Sequence, residues 1–181
     1  ILETENVPSN IIKLVTVYDK YRSSKRIDEI VKFIEWANKK SKAQQFELTI
    51  LGYDKNHHPK SFTNQIIHTI QTSNFIKTQG RFNSLDELKE IYENQHFYLS
   101  FMFRDNCPNV LVESYSLGLP VIAIQSGGIP DIMGKSGIQL NDPTEFTHFS
   151  SFDLSFEFPD ISYQDVYTTI FNSIEDYTIL K

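Results

Sequence analysis

Two carboxylates and a glycine pair, Asp105, Glu113 and Gly127-Gly128, fall in one stretch, RDNCPNVLVESYSLGLPVIAIQSGGIPDI, residues 104–132. The stretch reads as a strand end, a short helix, a buried strand and a glycine loop leading into another helix. Pro108 suits a first helical turn, where its missing N–H would have no intrahelical partner anyway. Asn106 or Asn109 is a candidate cap. Val110, Leu111 and Ser114 place one helix face on a core. Glu113 lies about a turn and a half in, and helical side chains lean toward the N-terminus, so Glu113 reaches the same mouth as Asp105. Gly118 ends the helix in the usual left-handed position. Pro120 to Ile124 is a continuous apolar run, as in a strand covered on both faces. Ser126-Gly127-Gly128 follows at its carboxyl end, and Ile129-Pro130-Asp131 opens the next helix.

Helix starts and a glycine turn that converge on one crevice favour an anion, because free backbone N–H groups and helix dipoles point into it. Glu113 would repel a bare phosphate, whereas carboxylates beside phosphate sites commonly bind sugar hydroxyls. The ligand chemistry implied is phosphate joined to a polyol, a nucleotide or nucleotide sugar. The plainer readings are a surface glutamate, a helix-start aspartate and a Gly-Gly turn of the kind common in loops.

The elements that must position these residues alternate in type. Ile11 to Tyr18 reads as a strand rich in β-branched residues. A basic loop follows with Lys20, Arg22 and Lys25. Ile27, Ile30, Val31 and Ile34 recur at helical spacing, predicting an amphipathic helix over 25–40. Phe46–Leu51 is a second strand closed by Gly52, and 53–60 is a polar loop. A helix carrying Phe62, Ile66, Ile67 and Ile70 comes next, then a third strand, Phe75–Thr78, ended by Gly80. Ser84 and Glu87 form a capping box opening a helix through Tyr92. His96–Phe103 is a fourth, aromatic strand. After the stretch described above, Gly137–Leu140 is a short sixth strand. Residues 141–160 lack clear periodicity, and Tyr163, Val166, Ile170, Ile174 and Tyr177 mark a terminal helix over 163–178. Strands alternating with helices predict a Rossmann-like parallel sheet of about six strands with helices on both faces. Ligands in such sheets bind outside the carboxyl ends of the strands.

Composition narrows the classes. At 181 residues with a net charge of −6, a nonspecific nucleic-acid binder is disfavoured. No apolar run approaches the ~20 residues of a membrane span, and no signal peptide is visible. The single cysteine, Cys107, excludes an internal disulfide and fits a reducing, cytoplasmic compartment. His57-His58 lacks further ligands at metal spacing. No Gly-x-Gly-x-x-Gly marks a nicotinamide or flavin site. The chain opens on Ile1 and residues 1–10 look like a linker, so an excised piece of a longer protein is expected.

The pattern Asp105-x7-Glu113, then Ser114-Tyr-Ser-Leu-Gly118-Leu-Pro120-Val-Ile-Ala, then Gly127-Gly128-Ile-Pro130-Asp131, resembles the second domain of GT-B glycosyltransferases, closest to family 4 (group 1) with its Glu-x7-Glu signature. Asp105 and Asp131 stand where that pattern usually has Glu. The resemblance implies a single donor-binding domain over 1–181, with an N-terminal acceptor domain outside these residues. It implies transfer of a sugar, with retention, from a nucleotide diphosphate sugar to a glycan or lipid-linked acceptor, in cell-surface polysaccharide synthesis, without metal or cofactor. Lys20 and Lys25 keep the spacing of the diphosphate-binding Arg and Lys, with Lys replacing Arg and Arg22 a competitor for the first place. Asp105 is implied to bind donor-sugar hydroxyls, with the backbone N–H groups of Cys107 to Val110, among them Asn109 and Val110, nearby; Glu113 is implied to bind the ribose, Gly127 and Gly128 to line the donor site, and Arg81-Phe82 to contact the nucleobase. A solvated basic loop is the plainer reading of the lysines, and an exposed, idle side chain that of Arg81. The 181 residues alone are expected to bind donor weakly and transfer little, and a full-length protein could associate peripherally with the inner face of the membrane. The alternatives are a non-catalytic GT-B-like scaffold or partner subunit, and a GT-B-fold sugar-nucleotide epimerase.

Overall fold

A computed structural model of the chain describes residues 11–18, 23–40, 44–103, 105, 107–134, 137–140 and 161–178. Its strands are β1 (Ile11–Val17), β2 (Gln45–Leu51), β3 (Ile76–Gln79), β4 (Phe97–Ser100), β5 (Val121–Ile124) and β6 (Ile138–Leu140). Its helices are α1 (Ile27–Lys40), α2 (Asn64–Thr72), α3 (Leu85–Glu93), α4 (Asn109–Ser116), α5 (Ile129–Met133) and α6 (Tyr163–Thr178). The strands form one six-stranded sheet in the order β3-β2-β1-β4-β5-β6, and every pairing is parallel. The chain is thus the α/β Rossmann-like sandwich that the alternating elements predict.

Period-two alternation builds the two cores. Ile12 and Leu14 of β1, Phe46, Leu48 and Ile50 of β2, Phe97 and Leu99 of β4 and Ile122 and Ile124 of β5 share one face with the apolar stripes of α1, α2 and α6. The residues between them, Val15, Leu51, Tyr98, Val121 and Ala123, share the other face with α3, α4 and α5. Both faces of the central strands are covered, and β4 and β5 are buried at every position. Phe33 of α1 is fully buried among Trp36, Phe46, Phe101 and Tyr163; truncating it to alanine would cost about 3–5 kcal/mol.

Helix ends follow local chemistry. Thr63 caps α2 by accepting from the Ile66 N–H at 3.3 Å, so that helix starts after Phe62. Ser84 caps α3 through the Glu87 N–H at 3.1 Å. Glu87 Oε2 reaches back to the Asn83 N–H at 2.8 Å, one residue beyond a strict capping box. Two boundaries differ from the sequence expectation. Helix α1 starts at Ile27, preceded by a 3-10 turn over Ser23–Lys25, because Arg26 takes a left-handed backbone with φ of +50°. The β4 ladder stops at Ser100 although Phe101, Met102 and Phe103 stay buried. Their N–H groups turn elsewhere: Met102 to Ser100 Oγ at 3.3 Å and Phe103 to the Ser24 carbonyl at 3.0 Å.

The strand order places β1 and β4 side by side although the chain runs outward from β1 through β2 to β3 before returning. The sheet therefore reverses direction between β1 and β4, and such a reversal opens a crevice at the strands' carboxyl ends. The pair is joined only at Leu14–Phe97 and Val15–Tyr98, so the two strands part just where the crevice begins.

Candidate functional site

Three segments meet at that edge through backbone bonds. The Phe103 N–H donates to the Ser24 carbonyl, tying the end of β4 to the 3-10 turn that follows β1. The Gly128 N–H donates to the Asp105 carbonyl at 3.0 Å, tying the loop after β4 to the turn after β5. Gly127 lies flat on Asp105: a Cβ there would stand 2.5 Å from the Asp105 carbonyl oxygen, and φ is +60°. Only glycine satisfies both conditions. Asp105 folds its carboxylate onto the Cys107 N–H at 3.0 Å, an Asx turn that sets the entry to α4.

Asn109 and Val110 are the first residues of α4, so their N–H groups belong to the turn that helix geometry leaves without intrahelical acceptors. The cap differs from the expected Asn106 or Asn109. Pro108 holds that position with no side-chain cap bond, Asn109 is already helical, and Asn106 lies outside the described residues. At the other end Gly118 is left-handed, φ +78°. Its N–H and that of buried Leu119 close on Tyr115 and Ser114, a Schellman ending.

Lys25 is 9 % exposed, and its Nζ lies 3.4 Å from the Val17 carbonyl at the end of β1. A lysine this buried, with its ammonium at the end of the strand beside the crevice, is not an ordinary solvated loop residue. Lys20 and Arg22 lie outside the described residues.

Glu113 is half-buried on α4. Its charge acts on two tyrosines of the face below, Tyr92 and Tyr98. Tyr98 is fully buried, and its hydroxyl accepts from the Val17 N–H at 3.4 Å. Burial pushes its phenol well up, with Tyr92 adding to the effect and bonds at Val17 and Thr16 opposing it. Burial likewise pushes the Tyr92 phenol up to about 12, with Ser114 working against that shift and Glu113 with it. Both phenols are protonated donors at neutral pH.

Arg81 and Phe82 follow β3, two strands from the switch point. Phe82 packs against the core on the α3 side, while Arg81 is exposed. Arg81 lines an open cleft of about 700 Å³ with Gly52 to Asn56, Thr78 and Gln79. Among the described residues Arg81 makes no hydrogen bond or ion pair, and no group of three or more His, Cys, Asp or Glu side chains could hold a metal ion. No helix among them is long and apolar enough to cross a membrane.

A doubly wound parallel sheet with buried Lys25, the Asp105 Asx turn and the locked Gly127-Gly128 turn at the carboxyl ends of its strands defines a Rossmann-like α/β domain. The profile of the family described as Glycosyl transferases group 1 matches residues 14–149, well over half of the chain. The chain belongs to that family. No curated protein matches it in sequence. Similar solved structures are GT-B glycosyltransferases. The pneumococcal O-GlcNAc transferase GtfA, solved with UDP and GlcNAc, aligns with a TM-score of 0.56 at 22 % identity, over 76 % of this chain and 26 % of that one. TarM aligns at 0.58 and 16 %, over 94 % and 30 %. The trehalose-6-phosphate synthase OtsA aligns at 0.63 and 11 %, over 91 % and 36 %. The chain spans between a quarter and two fifths of the length of these proteins.

Two features of the site escape the sequence reading. Tyr98 has a visible signal, since alternation along β4 puts it opposite Phe97 and Leu99. That its hydroxyl takes a β1 amide shows only in the fold. The contact between Gly127 and Asp105 joins residues far apart in sequence and has no local signature.

Proposed function

We propose that this domain binds the nucleotide diphosphate sugar for a retaining glycosyltransferase. The observation that carries the reading is the joint between Asp105 and Gly127-Gly128 beside buried Lys25, in a chain of glycosyltransferase group 1. Lys25, with Lys20, faces the diphosphate, and the first-turn amides of α4 at Asn109 and Val110 add their dipoles. Asp105 orients hydroxyls of the donor sugar, Glu113 takes the ribose diol, and the exposed end of β3 at Arg81-Phe82 is the side for the base.

The chemical task is electrostatic. The bond between C1 and the phosphate oxygen breaks while the acceptor oxygen bonds to C1 on the same face. The acceptor proton passes to the departing phosphate oxygen, and the nucleoside diphosphate leaves. Negative charge grows on the diphosphate throughout, and donors fixed beforehand stabilise it without reorganising. Ammonium groups and helix amides supply that stabilisation, so the reading calls for no metal or cofactor. The acceptor, a glycan or lipid-linked sugar of cell-surface polysaccharide, would be held by a second domain across the cleft. The 181 residues alone then bind donor and transfer little.

Calorimetry with UDP-GlcNAc, UDP-glucose, GDP-mannose and the free diphosphates tests this. Binding of one nucleotide series, weakened by Glu113→Ala and Lys25→Met, is the expected result. Ordinary turnover by these 181 residues would refute the two-domain reading. A melting temperature unmoved by every nucleotide would favour a non-catalytic scaffold or partner subunit instead.

A further inference from the structure

The donor reading takes only the base side from the outer end of β3, and leaves the cleft beside it without a ligand. That cleft lies between the polar loop after β2 and the end of β3. The two segments are tied at their base: the Gly52 N–H donates to the Gly80 carbonyl at 3.2 Å, and the Tyr53 N–H to the Gln79 carbonyl at 3.1 Å. The space they border is about 700 Å³, within the range of small-molecule sites. Its loop wall is held by packing. The Tyr53 ring lies edge-on to Tyr18, centroids 5.4 Å apart, and 5.6 Å from His58. His58 in turn stacks on buried Phe62 at 5.9 Å. A wall fixed in advance lowers the ordering cost of binding.

Charge decides the ligand. Asp54, the one carboxylate among the described lining residues, is engaged inside its own loop. It accepts from the Asn56 N–H at 3.0 Å and lies 3.0 Å from His57 Nδ1. Lys55 and Arg81, one from each segment, are exposed and make no hydrogen bond or ion pair among the described residues. Lys77, another cation of β3, differs: Glu47 meets it at 2.8 Å. The cleft thus carries two unneutralised cations in a chain of net charge −6. We infer that it binds a sugar unit bearing a negative charge, a uronate or a phosphorylated sugar, at a site separate from the donor crevice. The Arg81 guanidinium fork matches a carboxylate or phosphate bidentately, and Lys55 adds a point charge. Asn56, Gln71 and Thr78 supply hydrogen-bonding groups for ring hydroxyls, and buried Ile70 and Ile76 an apolar patch for its C–H groups. A neutral sugar leaves both cations unanswered, and a bare anion leaves the amides and the apolar patch unused. On the glycosyltransferase reading that unit belongs to an acidic acceptor glycan; the binding itself does not depend on the roles of Glu113 or Lys25.

The test titrates the 181-residue chain at low salt with glucuronic acid, glucose 6-phosphate, glucose and inorganic phosphate, and follows amide chemical shifts. At least one charged sugar should move the Gly52 and Gly80 amides, and which one does so tells a uronate from a phosphorylated sugar. Glucose and inorganic phosphate should bind about tenfold more weakly or not at all. Arg81→Gln and Lys55→Gln, both at exposed positions, should each weaken the charged sugar about tenfold. Lys55→Gln should leave UDP affinity unchanged. Silence of both charged sugars at these amides overturns the inference. Inorganic phosphate binding as tightly as the tighter charged sugar does the same, because the attraction would then be for any anion. Equal losses of UDP and charged sugar in Lys55→Gln would make the cleft part of the donor site, and also overturn it. If a charged sugar binds as expected while no nucleotide does, the donor reading falls and this inference stands.

Discussion

Alanine at Gly127 should damage both stability and binding, and alanine at Gly118 should not. Both glycines are left-handed, with φ of +60° and +78°. An alanine forced into that region costs roughly 1–2 kcal/mol at either site. At Gly118 that is all, since nothing lies within 4 Å of the new Cβ. At Gly127 the Cβ would stand 2.5 Å from the Asp105 oxygen, 3.0 Å from its carbonyl carbon and 3.1 Å from its nitrogen. These neighbours are backbone, so one loop must move by roughly half an ångström to reach ordinary contact. That movement strains the Gly128 N–H bond to Asp105, worth about 1 kcal/mol. The total for Gly127→Ala is about 2–4 kcal/mol. At about 2–4 °C per kcal/mol for a chain of this length, the melting temperature should fall by about 5–15 °C. The corresponding fall for Gly118→Ala is about 2–8 °C. Differential scanning calorimetry on both variants isolates the contact, because the conformational cost is common to both. UDP titration should show binding retained in Gly118→Ala and largely lost in Gly127→Ala. Equal losses of stability in the two variants, or full UDP affinity in Gly127→Ala, would refute the view that this turn is fitted to Asp105.

Three further outcomes are expected. Lys25→Met, which keeps the stem and removes the charge, should weaken UDP at least tenfold at low salt, measured by calorimetry; an unchanged affinity would make Lys25 structural only. Arg26→Gly should be more stable than Arg26→Ala by about 1 kcal/mol in denaturant unfolding, since both lose the same side chain and only alanine is strained at φ +50°. Glu29 accepts from the Tyr163 hydroxyl at 2.5 Å, a bond between α1 and α6. Burial alone would raise the Glu29 carboxyl, but the bonds from Lys32 and Tyr163 and the nearby Arg26 charge hold it below its usual 4.5. A depressed carboxylate stabilises the fold above its unfolded pKa, and that stabilisation is lost as pH falls through the lower folded value. Tyr163→Phe should therefore cost about 2 kcal/mol at pH 7, in urea unfolding. The gap should narrow below about pH 4 as Glu29 protonates. A gap independent of pH would mean that lost packing, not the bond, sets the cost.

Much of the fold is legible in the sequence because the central strands β4 and β5 are buried on both sides and α1, α2 and α3 on one. Ile27, Ile30, Val31 and Ile34 announce α1, and the runs at Ile11 and Phe46 announce β1 and β2. The capping residue at Ser84 and the glycine at Gly118 are read correctly because their effects are local. What escapes is decided by partners distant in sequence. Nothing near Phe101 says that β4 leaves the ladder there; the cause is that the Phe103 amide goes to Ser24. Nothing near Arg26 predicts a left-handed arginine at the start of α1. Pro108 illustrates local competition: it was expected inside the first turn of α4 and instead occupies the cap, which leaves Asn109 no capping role. The basic loop at Lys20 and the stretch 141–160 lie outside the described residues.

The crevice depends on an unpaired length of β1, and the chain supplies a substitute for the missing pairing. Beyond Val15 the β1 strand has no β4 partner, so the Val17 N–H would be stranded at the site's floor. The Tyr98 hydroxyl accepts it, and the Lys25 ammonium lies on the Val17 carbonyl. Both backbone groups of Val17 are thus engaged by side chains on the β4 side, which keeps the strands parted without leaving buried polar groups unsatisfied. Tyr98→Phe would remove one of those partners while keeping the ring, so its effect should appear as local opening at the end of β1. Amide exchange is the measurement: the Val17 N–H should lose protection while Leu14 and Val15, deep in the ladder, keep theirs. Uniform loss across β1 would mean that the tyrosine acts only as core filling.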